Sequence, residues 1–183
     1  MHLAAARCRR IPWLAPLALI VFLTVAATAS AQTVYDDGGT YTISGPSGAI
    51  IVSNGTTVNV VDGAEITAAI GAAVQLNFGA TLNVTGGLIE VTGAGAAILA
   101  EASTVNISGG SVSAPVDVAL DAADAAFANA FVTISGGSLV GASYSLRLGA
   151  SFGALSVDVT GRLPPSVAAR AGCGSCFVAR GIT

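Results

Sequence analysis

The sequence predicts an all-β fold: a single-stranded parallel β-helix, or solenoid, with about five coils of ~24 residues. Three observations predict it: a recurring strand phrase, glycine turns behind that phrase, and an alternation that keeps apolar residues on one side. The phrase runs Thr57-Val58-Asn59-Val60, Thr81-Leu82-Asn83-Val84, Thr104-Val105-Asn106-Ile107 and Val132-Thr133-Ile134, with a looser copy at Ser156-Val157-Asp158-Val159. Its apolar second position falls at 58, 82, 105, 132 and 157, in steps of 24, 23, 27 and 25.

Each coil divides into three short strands. The opening phrase comes first, and Gly86-Gly87, Gly109-Gly110 or Gly136-Gly137 turns the chain, because glycine takes positive φ without a Cβ clash. A brief second strand follows: Gly87 to Val91, Ser111-Val112-Ser113, or Ser138-Leu139-Val140. After a looser Gly/Ala corner comes the third: Ala72 to Phe78, Ala96 to Glu101, Val118-Ala119-Leu120, or Ala142 to Leu148. Small pairs, Ala80-Thr81 and Ser103-Thr104, lead into the next opening strand.

Side chains alternate along a strand, so the two apolar positions of each phrase share one face. Stacking then makes two inward columns: Val58, Leu82, Val105, Val132 and Val157, and beside them Val60, Val84, Ile107, Ile134 and Val159. Asn59, Asn83, Asn106, Thr133 and Asp158 form an outward column with a step of about 4.8 Å. Its structural reading is an amide ladder along the axis, as in stacked cross-β strands. Its functional reading is a contact strip for a glycan or protein. An antiparallel sandwich also uses short strands, but it does not require one phrase in one side-chain order at a fixed period.

The phrases T-V-N-I-S-G-G-S-V (104–112) and V-T-I-S-G-G-S-L (132–139), together with the segment G-A-G-A-A-I-L-A-E-A-S (93–103), resemble passenger domains of bacterial autotransporters. These are the pertactin-like right-handed parallel β-helices, and the resemblance covers residues 40–161. It implies export and an adhesive, surface-displayed or stalk role, and it transfers no catalytic residue. It also implies a translocator barrel, yet no alternating ten-residue strands follow Gly161. The expectation is therefore a passenger-like protein without its barrel, or a truncated or frameshifted form of a longer one.

Residues 1–31 read as a signal peptide. Arg7, Arg9 and Arg10 precede the apolar run Leu17 to Leu23, and Ala29-Ser30-Ala31 supplies the cleavage pattern. The chain is expected outside the inner membrane: periplasmic, secreted or associated with the outer membrane and cell surface. Residues 32–161 are assigned to the β-helix. Residues 162–183 are assigned to a disordered or aberrant tail, because Pro164-Pro165 interrupts strand pairing and the carboxylates stop while arginines appear.

Beyond residue 31 there is no His, Lys or Trp, and four arginines face ten carboxylates, a net charge of −6. Such a surface argues against nucleic acid or anionic membranes as partners. No stretch beyond the leader has the ~20 apolar residues of a membrane span. Without His, no Ser-His-Asp or Cys-His site can be built. Asp117, Asp121 and Asp124 lie in the longest coil, but no D-x-[DN]-x-[DN]-G loop surrounds them, so solvated loop acids are the simpler reading. Asp36-Asp37 reads as a polar lead-in. Cys173-Gly174-Ser175-Cys176 offers two thiols where zinc wants four ligands, and a local disulfide is the plainer outcome. The sequons at Asn54, Asn83 and Asn106 are by-products of the repeat if the source is bacterial.

No catalytic, cofactor or metal residue is assigned. The expected function is non-enzymatic, structural or adhesive, with a host or cell-surface glycan or protein as partner and a C-terminal β edge open to self-association. The rival is a small secreted β-helix polysaccharide lyase or hydrolase using carboxylates around Asp117 to Asp124.

Overall fold

The structure is a computed structural model that describes residues 32–123, 129–150, 155–160, 167–171 and 177–180. The leader, the alanine-rich insertion at 124–128, Pro164-Pro165 and Cys173 to Cys176 lie outside the described residues. Among the described residues every regular element is a strand.

Strand β1 (Thr33–Tyr35) precedes five three-strand coils. The first coil is β2 (Thr40–Ile43), β3 (Pro46–Ser47) and β4 (Ile50–Val52); the second is β5 (Thr57–Val60), β6 (Glu65–Ala68) and β7 (Val74–Leu76). The third is β8 (Thr81–Val84), β9 (Leu88–Val91) and β10 (Ile98–Glu101). The fourth is β11 (Thr104–Ile107), β12 (Ser111–Ala114) and β13 (Val118–Ala123), and the fifth β14 (Ala130–Ile134), β15 (Ser138–Gly141) and β16 (Tyr144–Ala150). Then come β17 (Leu155–Val159), β18 (Val167–Ala171) and β19 (Phe177–Arg180).

Strands of equal rank pair in parallel from coil to coil, which makes three sheets. Sheet A runs β1-β4-β7-β10-β13-β16-β18, sheet B runs β2-β5-β8-β11-β14-β17-β19, and sheet C runs β3-β6-β9-β12-β15. The fold is the expected parallel β-solenoid. The register follows the repeated phrase: Val58 pairs with Leu82, Leu82 with Val105, Val105 with Val132, and Val132 with Val157.

The inward columns form the core. Val58, Leu82, Val105, Val132 and Val157 are all buried, as are Val60, Val84, Ile107, Ile134 and Val159. Sheet A adds Ile50, Val74, Ile98, Leu120 and Leu146, and sheet C adds Ile66, Ile89, Val112 and Leu139. Each coil covers its neighbour's apolar side chains, so burial belongs to the stack and not to any one repeat.

The Gly-Gly corners have a steric cause. The chain keeps pairing through the turn, with Ser111 N bonding Gly87 O at 2.9 Å and Ser138 N bonding Gly110 O at 3.0 Å. That brings successive corners into close contact. A Cβ on Gly109 would sit 2.2 Å from Thr85 O, and one on Gly110 2.6 Å from Gly86 O. Gly110 also takes φ +74, which L side chains rarely adopt.

Four expectations need adjustment. A first coil, β2 to β4, precedes the first recognised phrase, and Thr40 pairs with Thr57 after a step of only 17 residues. The third strands are shifted: β7 is confined to Val74–Leu76, and β16 runs Tyr144–Ala150. β13 extends past Leu120 to Ala123. Finally, β18 pairs with β16 and β19 with β17, so strand pairing runs past the boundary drawn at residue 161. Leu146 pairs with Val167 and Leu148 with Ala169.

Candidate functional site

The outer face of sheet B carries the most regular arrangement of side chains. Alternation turns the first and third residues of each phrase outward. One rank is Thr40, Thr57, Thr81, Thr104 and Phe131; the other is Thr42, Asn59, Asn83, Asn106 and Thr133. From β2 to β14 neither rank contains a charged residue. Asp158 is the next outward residue of the second rank, in β17.

The amides are linked as the ladder reading expects. Asn83 Nδ2 donates to Asn59 Oδ1 at 2.8 Å, and Asn106 Nδ2 donates to Asn83 Oδ1 at 2.9 Å. Asn is disfavoured in strands because its short amide competes for backbone hydrogen bonds. Here the neighbouring amide takes up that capacity, so identical residues one coil apart fix one another.

Sheet A differs. Its corresponding outward column is Ile51, Gln75, Leu99, Asp121 and Arg147. Asp121 and Arg147 are register neighbours and form an ion pair through both carboxylate oxygens, with Arg147 Nε 2.9 Å from Asp121 Oδ1. Aligning Leu120 with Leu146 in the sequence would have revealed this pair. Asp117 contributes its carbonyl to Ser143 N at 3.0 Å, and Asp124 lies outside the described residues. The structure therefore joins Asp121 to an arginine and does not describe the acidic trio as a set. Among the described residues no three His, Cys, Asp or Glu side chains cluster as a cation site would require.

On sheet C a shallow open concavity is lined by Pro46, Ser47, Gly48, Glu65 and Thr67. Its one ionisable lining residue is Glu65, so the lining holds no acid–base pair.

The lead-in Asp36-Asp37 is partly a structural cap. Tyr35 and Tyr41 meet with ring centroids 4.7 Å apart and planes tilted by 48°, and they pack against the core, Tyr41 in register with Val58. The Asp37 carboxylate accepts from the Tyr41 hydroxyl and, at 2.8 Å, from Gly39 N. The Tyr41 bond, then the Gly39 bond, hold the Asp37 carboxyl below its ordinary range; the same bond to Asp37 raises the Tyr41 hydroxyl. Gly38 N donates to the buried Thr56 Oγ1 at 2.9 Å, tying the cap to the second coil.

No protein-family model, curated protein or solved structure matches the chain.

Proposed function

We propose that the chain is an exported, non-enzymatic β-solenoid that works by lateral contact, with the outer face of sheet B as its contact surface. In this reading it is a structural or adhesive protein of the autotransporter-passenger kind. The observation that carries the proposal is the uncharged, in-register pair of ranks from Thr40 to Thr133. An inward column must be apolar to build the core, but an outward one is free to vary. Sheet A does vary, whereas sheet B presents the same uncharged Thr and Asn side chains coil after coil, a surface suited to repeated lateral contact. The leader at 1–31 supports export, and the ion pair at Asp121 argues against that residue as a free acid or base.

The test is retention of the full chain, expressed with its leader, on a glycan array and on cultured cell surfaces, with soluble products assayed in parallel. Binding without turnover, lost in Thr81→Lys, supports the proposal. Release of sugar fragments that stops in Asp121→Ala would establish the rival lyase or hydrolase instead.

A further inference from the structure

We infer that the two-rank face of sheet B is an ice-binding surface, its ligand the ordered water at the face of an ice crystal. This rests on the reading of sheet B as the contact surface and names the ligand of that same site.

Geometry comes first. Coil-to-coil pairing spaces each rank at about 4.8 Å, and two residues along a strand separate the ranks by about 6.6 Å. Because Thr57 pairs with Thr81 and Thr104, and Asn59 with Asn83 and Asn106, the two ranks stay level and make a rectangular grid. A ligand that meets several coils in the same way must share that repeat. The prism faces of hexagonal ice present water oxygens in rectangular ranks of comparable spacing on both axes.

Chemistry points the same way. Over the first four coils all eight outward side chains of the grid are Thr or Asn. Each threonine offers a hydroxyl for a lattice water and a methyl group around which water orders. No carboxylate, ammonium or guanidinium interrupts the two ranks over these coils with a tightly held hydration shell of its own. A sugar polymer would call for aromatic platforms, and the aromatic residue of these ranks, Phe131, stands in the fifth coil.

The grid is also held ready. Threonine is stiff at χ1 because it branches at Cβ. The asparagines are fixed by amide bonds of 2.8 and 2.9 Å to one another. Little side-chain freedom is left to lose on contact, which favours binding to a lattice of water molecules each held by weak contacts.

The experiment is osmometry on a single ice crystal in a solution of the full chain expressed with its leader, together with partition of the chain into slowly growing ice. Expected are a freezing point held below the melting point, faceted crystals and enrichment in the ice. Thr81→Lys should reduce both effects several-fold, whereas Ser111→Lys on sheet C should keep them. Circular dichroism monitors folding, and Thr104→Lys replaces Thr81→Lys if that variant does not fold. Ice that grows unhindered in the presence of folded protein overturns the inference, as does full activity in Thr81→Lys. If ice is unaffected while Thr81→Lys abolishes retention on glycans or cells, the ice ligand is wrong and the contact surface stands. If Thr81→Lys changes neither, both readings fail.

Discussion

Sheets A and B are built from the same coils around the same core, yet their outer faces differ in kind. Inside, both are apolar and buried: Ile98, Leu120 and Leu146 in one, Leu82, Val105 and Val132 in the other. Outside, sheet B repeats Thr and Asn, whereas sheet A passes through Gln75, Leu99, Asp121 and Arg147. Their strands differ too: β5, β8 and β11 each span four residues, but β7, β10, β13 and β16 span three, four, six and seven. Core packing cannot cause the difference, because it acts equally on both sheets. Two local causes remain on sheet B: the close-stacked Gly-Gly corner, which fixes where each strand ends, and the outward amide ladder.

The corner should give the largest effect. Gly110→Val places a branched side chain at φ +74, with its Cβ 2.6 Å from Gly86 O. We expect a loss of at least about 3 kcal/mol by urea unfolding, from backbone strain plus overlap. A loss below about 1 kcal/mol would mean that the corners do not stack as described.

Next is the ladder itself. Asn83→Ala removes a donor to Asn59 and an acceptor for Asn106, and should cost about 1–2 kcal/mol. Asn83→Thr, which introduces the residue found at Thr133 in the same column, should cost less because threonine suits a strand. If the two variants are equally destabilised, strand propensity has no part in the ladder.

On sheet A, Arg147→Ala should cost at most about 1 kcal/mol, since the Arg147 side chain is 49 % exposed and solvent screens its pair with Asp121. The sharper comparison is salt. Raising ionic strength should weaken the contribution of Arg147 and leave that of Asn83 nearly unchanged.

The smallest effect is at the N-terminal cap. The folded-state pKa of Asp37 is lowered, so its bonds to Tyr41 and Gly39 stabilise the fold above the ordinary carboxylate range and are lost as pH falls through the folded value. Tyr41 is raised, so its share is present below its ordinary pKa of 10.0 and is lost as pH rises through the folded value. Asp37→Asn should flatten the acid limb of a thermal-stability profile; an unchanged profile would remove Asp37 from the cap.

How much was legible in the sequence follows from the same contrast. On sheet B the phrase recurs, so period, register, inward columns and the asparagine ladder could all be read directly. The phrase of the first coil escaped because its step is 17 residues and Thr40-Tyr41-Thr42-Ile43 has Tyr and Thr where the next three copies have an aliphatic residue and Asn. Sheet A boundaries moved because no glycine pair at a fixed position marks where each of its strands ends, and Ala-rich sequence adjoins several of those ends. Asp121 looked like part of an acidic cluster because sequence proximity groups it with Asp117 and Asp124, whereas the solenoid sets it beside Arg147, 26 residues away. Ala102 is a further case: at φ 47 it adopts a conformation that its counterpart Gly79 takes at φ 76, which no pattern of hydrophobicity reveals.

Every use proposed for sheet B requires its outer ranks to be ordered before anything binds. Side-chain amide NMR of the unliganded protein tests this most directly. Asn59, Asn83 and Asn106 should give three resolved amide pairs, with one proton each on Asn83 and Asn106 protected from solvent exchange and close to the oxygen of the preceding asparagine. Averaged resonances at free-amide shifts, exchanging at the free rate, would contradict the ordered face.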